Sequence, residues 1–488
     1  MNLTYKYGFN ELELNKEKIK KIFFYRICGT GMGAAAILLK QKGYAVEGGD
    51  SVFYPPMSTY LSSTDIPCHK LNEINADYLK KFDLIVVGNV VPGNGDEAKM
   101  IENLGVPFAS FPTTIGVFVL KERNVIGISG THGKTTTTHF LSQIFENLGM
   151  SPGYLIGGII ENKSSSFLGK SDYFFIESDE YDSCYFEKFS KFQNYCIDHL
   201  ILTSLEFDHA DIFNSISDIE KEFETVIPKV GKSFIFNTDY PSGEKLFKKF
   251  SKIYSDKKWT AYGNKTSAIN KAGPSNVRTS ALGSEFDICL DNKNVTFRTN
   301  IIGEHNILNL TTSILFAHQE GFAIEKIQKA IANLKMVKRR QEIRGKYRET
   351  VVIDDFAHHP RAVEVTIKAV KAQYKDSEII VVLDPMSATS RSNVFQKEFA
   401  ESVLLSDKVV IVKPTKKTTA KAWADLNCEM LKTDIENAKK INVELVTELS
   451  ELRAVLEKLA GKNRVFLILS NGTCLGLWSS SFINELQA

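Results

Sequence analysis

The 488-residue chain sets 60 Lys and Arg against 58 Asp and Glu, for a formal charge of +2, and is 43% hydrophobic, 24% charged and low in proline at 13 residues. That balance excludes a disordered or collagen-like chain, and it offers no excess of cations for nucleic acid or an anionic membrane; no apolar run exceeds strand length. Cys28, Cys68, Cys184, Cys196, Cys289, Cys428 and Cys474 include no C-x-x-C pair, and the opening MNLTYKYGFNELELNKEKIKK does not read as a secretory leader. Reduced thiols in a cytoplasmic protein are therefore expected, with no structural zinc and neither nucleic acid nor membrane as a partner.

At roughly 150 residues per domain the length predicts about three domains. Apolar strands alternate with helical patterns throughout, so the expected class is α/β with mainly parallel sheets. The first unit, 1–111, opens with a strand to Ile27, a glycine turn, a helix from about Ala34 to Gly43 and a strand to Asp50; FDLIVVGNV adds another. The pattern loosens near VPFASFPTTIG, with two prolines in seven residues. The second unit, 112–336, has the strand NVIGISG and a helix burying Phe140, Leu141, Ile144, Phe145 and Leu148 up to Gly149. Further strands follow, then a hairpin turning at Asp291–Asn294 as an antiparallel flank, and a helix over about 306–320 burying Ile307, Leu310, Ile314 and Leu315. The basic segment 335–348 reads as a linker. Beyond it, 337–488 carries TVVIDDF, EIIVVLDP, KVVIVK and RVFLILS as strands of a third doubly wound sheet.

Two glycine loops sit at strand-to-helix turns. Gly29-Thr30-Gly31-Met32-Gly33-Ala34 fits G-x-G-x-x-A with Asp50 about 20 residues on, a cradle for a pyrophosphate that suits a nicotinamide dinucleotide or a nucleotide-sugar equally. The second loop, GTHGKTTTT from Gly130, misses the G-x-x-x-x-G-K-[ST] pattern by one position, because Ile128 stands where the first glycine belongs. Its Gly130, Gly133, Lys134 and Thr135 retain free N–H groups, a cation for phosphate and a hydroxyl for Mg²⁺. Two acidic clusters at strand exits, Glu177, Asp179, Glu180 and Asp182, then Glu206, Asp208, His209 and Asp211, offer oxygen ligands and one imidazole, a set for Mg²⁺ or Mn²⁺ rather than tight zinc. DDFAHHP places Asp354, Asp355, His358 and His359 between a strand and a proline-started helix, whereas His69, His199 and His318 read as structural.

Taken in order, GTGMG, GTHGKTTT, ESDEYD, LEFDHADIF, GEHNILN, VKRRQEIRG and DDFAHHP resemble the Mur ligases, the ATP-dependent amide-forming enzymes of peptidoglycan assembly, over nearly the whole chain. The family's phosphate loop, G-T-x-G-K-[ST], has the shape found here. The resemblance implies three domains: a Rossmann-like UDP-binding domain, a central P-loop ATPase-type domain and a Rossmann-like C-terminal domain. It implies that Gly29, Thr30, Gly31, Met32, Gly33, Asp50 and Asn89 hold a UDP-sugar, with Asn94 nearby. ATP would meet Gly130, Thr131, His132, Gly133, Lys134, Thr135 and Thr136, with His305 and Asn306 near adenine, Arg340 near the phosphates and Asp355 on the ribose. Thr135, Glu177 and His209 would hold Mg²⁺, or Mn²⁺, and His358 and His359 would approach the reacting carboxylate or the peptide. Lys134, His209, Glu177 and His359 are thus the expected catalytic set.

The stretches SDEYDSCYFEKFSKFQNY, SLEFDHADIF, DDFAHHP with Phe356, and SNGTCLGL resemble members that join L-alanyl-γ-D-glutamyl-meso-diaminopimelate to UDP-N-acetylmuramate in recycling, rather than those adding L-alanine in synthesis. Departures are Ser204 for an asparagine, Met386 for an Arg or His in LDPMSATSR, where Arg391 is a partial substitute, and IEKEFETVIPK, where no carbamoylated lysine is assigned and a glutamate would fill that role. The expected chemistry is activation of the lactyl carboxylate as an acyl phosphate and attack by the peptide amine, by a monomer whose domains close to exclude water. The rivals are an ATP-switched binding protein, with no use for His209, and a folate-type polyglutamate ligase, with no use for the GTGMG domain.

Overall fold

The four residues Ile22, Phe23, Phe24 and Tyr25 are all buried, which marks the first strand, Lys21–Tyr25, as the middle of a sheet covered on both faces. The computed structural model describes residues 1–54, 57–161, 163–265, 270, 272–280, 282–420 and 422–487. They form two units: Met1–Glu206 with Ile219–Gly273 and Leu310–Ile331, and Phe207–Asp218 with Pro274–Asn309 and Ala332–Ala488.

The first unit holds two doubly wound sheets. One is wholly parallel, its strands running in the order Cys68–Lys70, Ala45–Asp50, Lys21–Tyr25, Leu84–Val87, Phe108–Ser110. The order reverses direction at Lys21–Tyr25, the switch point where such sheets bind ligands. The helix after this strand spans Thr30–Gln41, four residues earlier than its apolar pattern predicts. Its glycines serve close packing rather than ending the helix: a Cβ on Gly31 would meet the Phe111 ring at 3.1 Å, and one on Gly33 would overlap Met57.

The other sheet orders seven strands as Lys258–Tyr262, Ser233–Asn237, His199–Leu202, Asn124–Ser129, Tyr173–Glu177, Gly153–Leu155, Ser166–Phe167, with only the last pair antiparallel. The helix Lys134–Asn147 covers it through Phe140, Leu141, Ile144 and Phe145, as its periodicity predicts, while Leu148 is half-buried. Phe145 stacks on Phe316, 5.8 Å between centroids, and meets Phe175 edge-on at 4.9 Å. At the far edge Trp259 lies flat on Phe234, 3.9 Å and 14° apart, and donates its indole N–H to Tyr254 at 2.9 Å. His199 is a core residue held by Ser233 at 2.7 Å; burial lowers its pKa to about 4 and keeps the ring neutral.

The second unit contains a three-stranded antiparallel sheet, Pro274–Ser280, Gly283–Leu290 and Lys293–Thr299, whose second turn sits at Asp291 and Asn292, both left-handed. That is the predicted hairpin, built on two residues that tolerate positive φ. Its larger sheet orders six strands as Glu342–Tyr347, Thr350–Asp355, Arg464–Ser470, Glu378–Asp384, Lys408–Val412, Val443–Val446. Here the linker expectation for 335–348 needs correction. Glu342–Tyr347 is an antiparallel edge strand, joined to its neighbour by a tight turn at Arg348 and Glu349. Its outer rim is partly covered by the C-terminal segment, where Lys346 and Gln487 exchange backbone hydrogen bonds at 2.7 and 2.9 Å. No helix among the described residues is long and apolar enough to cross a membrane.

One buried carboxylate locks the first unit between its sheets. Ser110 caps the helix Phe111–Phe118, and its hydroxyl donates to Glu187 at 2.5 Å; the Thr113 hydroxyl donates to the same carboxylate at 3.0 Å, and Asn194 reaches Thr113 at 2.8 Å. Burial raises the Glu187 pKa above the ordinary 4.5, with the Ser110 and Thr113 hydrogen bonds opposing it. The proton favoured in the fold therefore stabilises at low pH, and that stability is lost as pH climbs through the raised value. Thermal melts of Glu187→Gln against wild type should shift in favour of the variant as pH rises from about 4 to about 8, and a difference constant across that range would contradict the linkage.

Candidate active site

Strand Asn124–Ser129 leads into the turn Gly130–Gly133 and then into the helix from Lys134. Gly130 has φ +134 and Gly133 φ +86, conformations that L side chains rarely adopt, and a Cβ on Gly130 would press on the Ser204 backbone at 2.7 Å. The turn is fastened from the neighbouring strand exit. Ser204 accepts the His132 N–H at 2.7 Å and donates to the His132 carbonyl at 3.2 Å, and Thr203 donates to the Ser129 carbonyl at 3.0 Å. Thr131 exchanges two bonds with Glu206, at 3.1 and 2.8 Å, and the His132 ring lies 2.9 Å from the Glu206 carboxylate. Serine at 204 thus does locally what a short polar side chain there must do. Lys134 folds back to the Gly130 carbonyl, and Thr136 is buried behind it.

The structure brings Thr135 and Glu177 together: the threonine hydroxyl donates to one carboxylate oxygen at 3.0 Å, and the Gly157 N–H to the other at 2.5 Å. Gly157 has no motif around it, so nothing in the sequence pointed to its part. First-turn N–H groups of a helix lack intrahelical acceptors, so a half-buried loop with a cation and paired hydroxyl and carboxylate oxygens is suited to an anion with a hard metal ion.

At the switch point of the first sheet, Gly29 caps the helix in extended conformation, and Gly29, Thr30 and Gly31 remain partly accessible while Met32 and Gly33 are buried. Asp50 turns inward: it accepts the Cys28 N–H at 2.9 Å and the Ser51 N–H at 2.7 Å. Arg26, absent from the sequence reading, stands beside it in a left-handed conformation with φ +71, at a cost of about 1 kcal/mol or more. Asn89 is exposed and donates to Asp182 at 3.3 Å.

His209 belongs to the second unit, on the segment Phe207–Asp218. It has φ +57 and donates its N–H to Asp208 at 2.7 Å. Asp208 is only 5% exposed. Burial works to raise its pKa, but the imidazoles of His209, His358 and His359 and the His209 N–H outweigh it and hold the carboxylate ionised. Ala210 donates to Thr389 at 3.1 Å, and His359, the N-cap of helix Pro360–Gln373, packs edge-on to Phe395 at 4.6 Å.

Strand Thr350–Asp355 ends in Asp355, whose buried carboxylate accepts the N–H groups of Gln341 and Ala357, both at 2.8 Å. Burial raises its pKa, opposed by Arg340 and those two N–H groups. Gln341 also reaches the His305 ring at 3.2 Å, and Asn306 donates to the Ile302 carbonyl at 3.0 Å. Arg339 and Arg340 both lie over the Phe356 ring, at 5.5 and 5.0 Å. Arg339 is tethered to the Ser470 and Gly472 carbonyls at 2.6 and 2.8 Å and to Asp354 at 3.3 Å; burial still lifts Asp354 to a pKa of about 6.

Residues 21–123 match the catalytic domain of the Mur ligase family, residues 128–317 the Mur ligase middle domain, and residues 339–472 the Mur ligase glutamate ligase domain. The UDP-N-acetylmuramate–L-alanyl-γ-D-glutamyl-meso-2,6-diaminoheptandioate ligase of Escherichia coli K12 is 34% identical over 405 residues, 81% of this chain and 85% of its own. The UDP-N-acetylmuramate–L-alanine ligase of Ligilactobacillus salivarius is 32% identical over 391 residues, 80% of this chain and 82% of its own. The solved murein peptide ligase of Psychrobacter arcticus 273-4 superposes with a TM-score of 0.68 at 27% identity, covering 96% of this chain and 100% of that one. With a glycine loop at the exit of a central parallel strand and relatives of this identity along four-fifths of its length, the chain belongs to the Mur ligase family.

Proposed function

We propose that the protein is an ATP-dependent, ADP-forming amide ligase that joins L-alanyl-γ-D-glutamyl-meso-diaminopimelate to the lactyl carboxylate of UDP-N-acetylmuramate, in peptidoglycan recycling. The observation that carries the reading is the Gly130–Thr135 turn, fastened by Thr203 and Ser204 with Glu177 at the Thr135 hydroxyl. The identity to the Escherichia coli ligase supports the peptide as the amine. In this reading residues 1–111 take the sugar nucleotide, 112–336 take ATP, and 337–488 take the peptide, in a cytoplasmic monomer.

A carboxylate is too poor an electrophile to accept an amine in water. Its oxygen attacks the γ-phosphorus of ATP, the bond to the β-phosphate oxygen breaks, and ADP leaves; the amine then attacks the acyl carbon and phosphate departs, while the amine loses a proton. The N–H groups opening the helix at Lys134 and the Lys134 ammonium hold the phosphates. Thr135 and Glu177 present the hydroxyl and carboxylate oxygens that Mg²⁺ prefers, so the donor set fits that ion; His209 is the further ligand of the proposal. Mg²⁺, when bound, screens the charge on the phosphoryl oxygens. Arg340, held over Phe356, supplies a cation for the same phosphates, Asn306 and His305 serve the adenine side and Asp355 the ribose. Gly29, Thr30, Gly31, Met32 and Gly33, with Asp50 and Asn89 beside them, receive the UDP-sugar, and His358 and His359 face the reacting carboxylate.

The L-alanine-adding reading keeps one observation in its favour, the 32% identity to the Ligilactobacillus salivarius enzyme. Phosphate release with ATP, Mg²⁺ and UDP-N-acetylmuramate decides between them: the tripeptide should support turnover and L-alanine should not, and an equal or faster rate with L-alanine would reassign the amine. Lys134→Ala should lower the tripeptide-dependent rate by about 100-fold or more in the same assay, with a melting temperature near wild type. A rate within about tenfold of wild type would remove Lys134 from the mechanism.

A further inference from the structure

We infer that Arg26 is a positioning residue of the sugar-nucleotide pocket, a clamp that both shapes the first glycine loop and cancels charge that would repel a diphosphate; this rests on the reading of that loop proposed above. Arg26 follows strand Lys21–Tyr25, and its N–H and that of Ile27 both donate to the Gly49 carbonyl, at 2.8 and 3.1 Å. The bend therefore depends on a left-handed residue, which glycine would adopt without strain. Arginine there is justified only by what its side chain does, and strain held at a loop of this kind points to function.

The guanidinium ties the end of its own strand to the end of strand Ala45–Asp50 and to the start of a helix. One nitrogen lies 2.6 Å from Glu97, on the first turn of the helix Asp96–Asn103, and the other bonds the Ser51 hydroxyl and lies 3.4 Å from Asp50. Asp50 in turn accepts the N–H of Cys28, the residue before Gly29. Arg26 thus fixes the carboxylate that fixes the loop. Its charge matters equally: Asp50, Glu97 and Arg26 sum to −1, and without the arginine to −2, within a Debye length of where a diphosphate would rest.

Calorimetric titration of the full chain with UDP-N-acetylmuramate tests this, using Arg26→Gly, Arg26→Lys, and Arg26→Gly combined with Glu97→Gln. Arg26→Gly should weaken binding by about tenfold or more and raise the KM for UDP-N-acetylmuramate alike, with the KM for ATP within about twofold and melting nearly unchanged. Arg26→Lys, which keeps the charge without the fork, should fall between, and the double variant should recover about threefold or more over Arg26→Gly because a repelling carboxylate is gone. Binding by Arg26→Gly within about twofold of wild type would overturn the inference, as would parallel losses toward ATP and in melting temperature, which would make the residue structural. Wild-type protein that does not bind UDP-N-acetylmuramate would instead overturn the reading of the loop itself.

Discussion

The absence of a single Cβ at Gly130 is the constraint on which the turn Gly130–Gly133 depends. Strands Asn124–Ser129 and His199–Leu202 are parallel neighbours, so their exits emerge side by side, and the backbone after one must pass under the backbone after the other. A left-handed glycine permits that approach, and the hydroxyls of Thr203 and Ser204 then take up backbone groups of the turn. Each such bond is worth only about 1 kcal/mol, but leaving a buried partner unsatisfied costs more, so the turn has few alternatives. The helix N-terminus, Lys134 and Thr135 inherit their positions from this one crossing.

The second unit solves a different problem, the burial of charge. Asp208, Asp354 and Asp355 sit at strand exits or just beyond, where burial alone would favour protonation. Each is answered in its own way: Asp208 by imidazoles, Asp354 by Arg339, Asp355 by Arg340 and two backbone N–H groups. Removing one member from such a set exposes the other to the full desolvation penalty. The loop Arg339–Gln341, with two left-handed residues, is held in place by these answers and by the Phe356 ring.

Much of this was legible in the residues because the signals were local. The strand–loop–helix at 124–147, the turn at Asp291 and Asn292, and the proline-started helix after His359 each follow from short-range chemistry. The helix at Thr30 was harder, since three glycines argue for a turn until Phe111 and Met57 are known to lie against them. The edge strand Glu342–Tyr347 was hidden by its cations, because burial of only one residue leaves no apolar period to read. Ser204 stood out by its residue type, but its double contact with His132 needed the third dimension. Arg26 carried no signal at all: its partners lie 25 and 71 positions away.

The three tryptophans are divided between the units in a way that makes the protein its own reporter. Trp259 lies flat on Phe234 within the first unit, while Trp423, about a third exposed, and Trp478, under Arg344, belong to the second. A half-buried indole stacked on a phenyl ring and a more hydrated one emit at different wavelengths, and a guanidinium over the ring perturbs the third. Intrinsic fluorescence can therefore follow the loss of each unit separately, and it can tell a cooperative single transition from two sequential ones without any label.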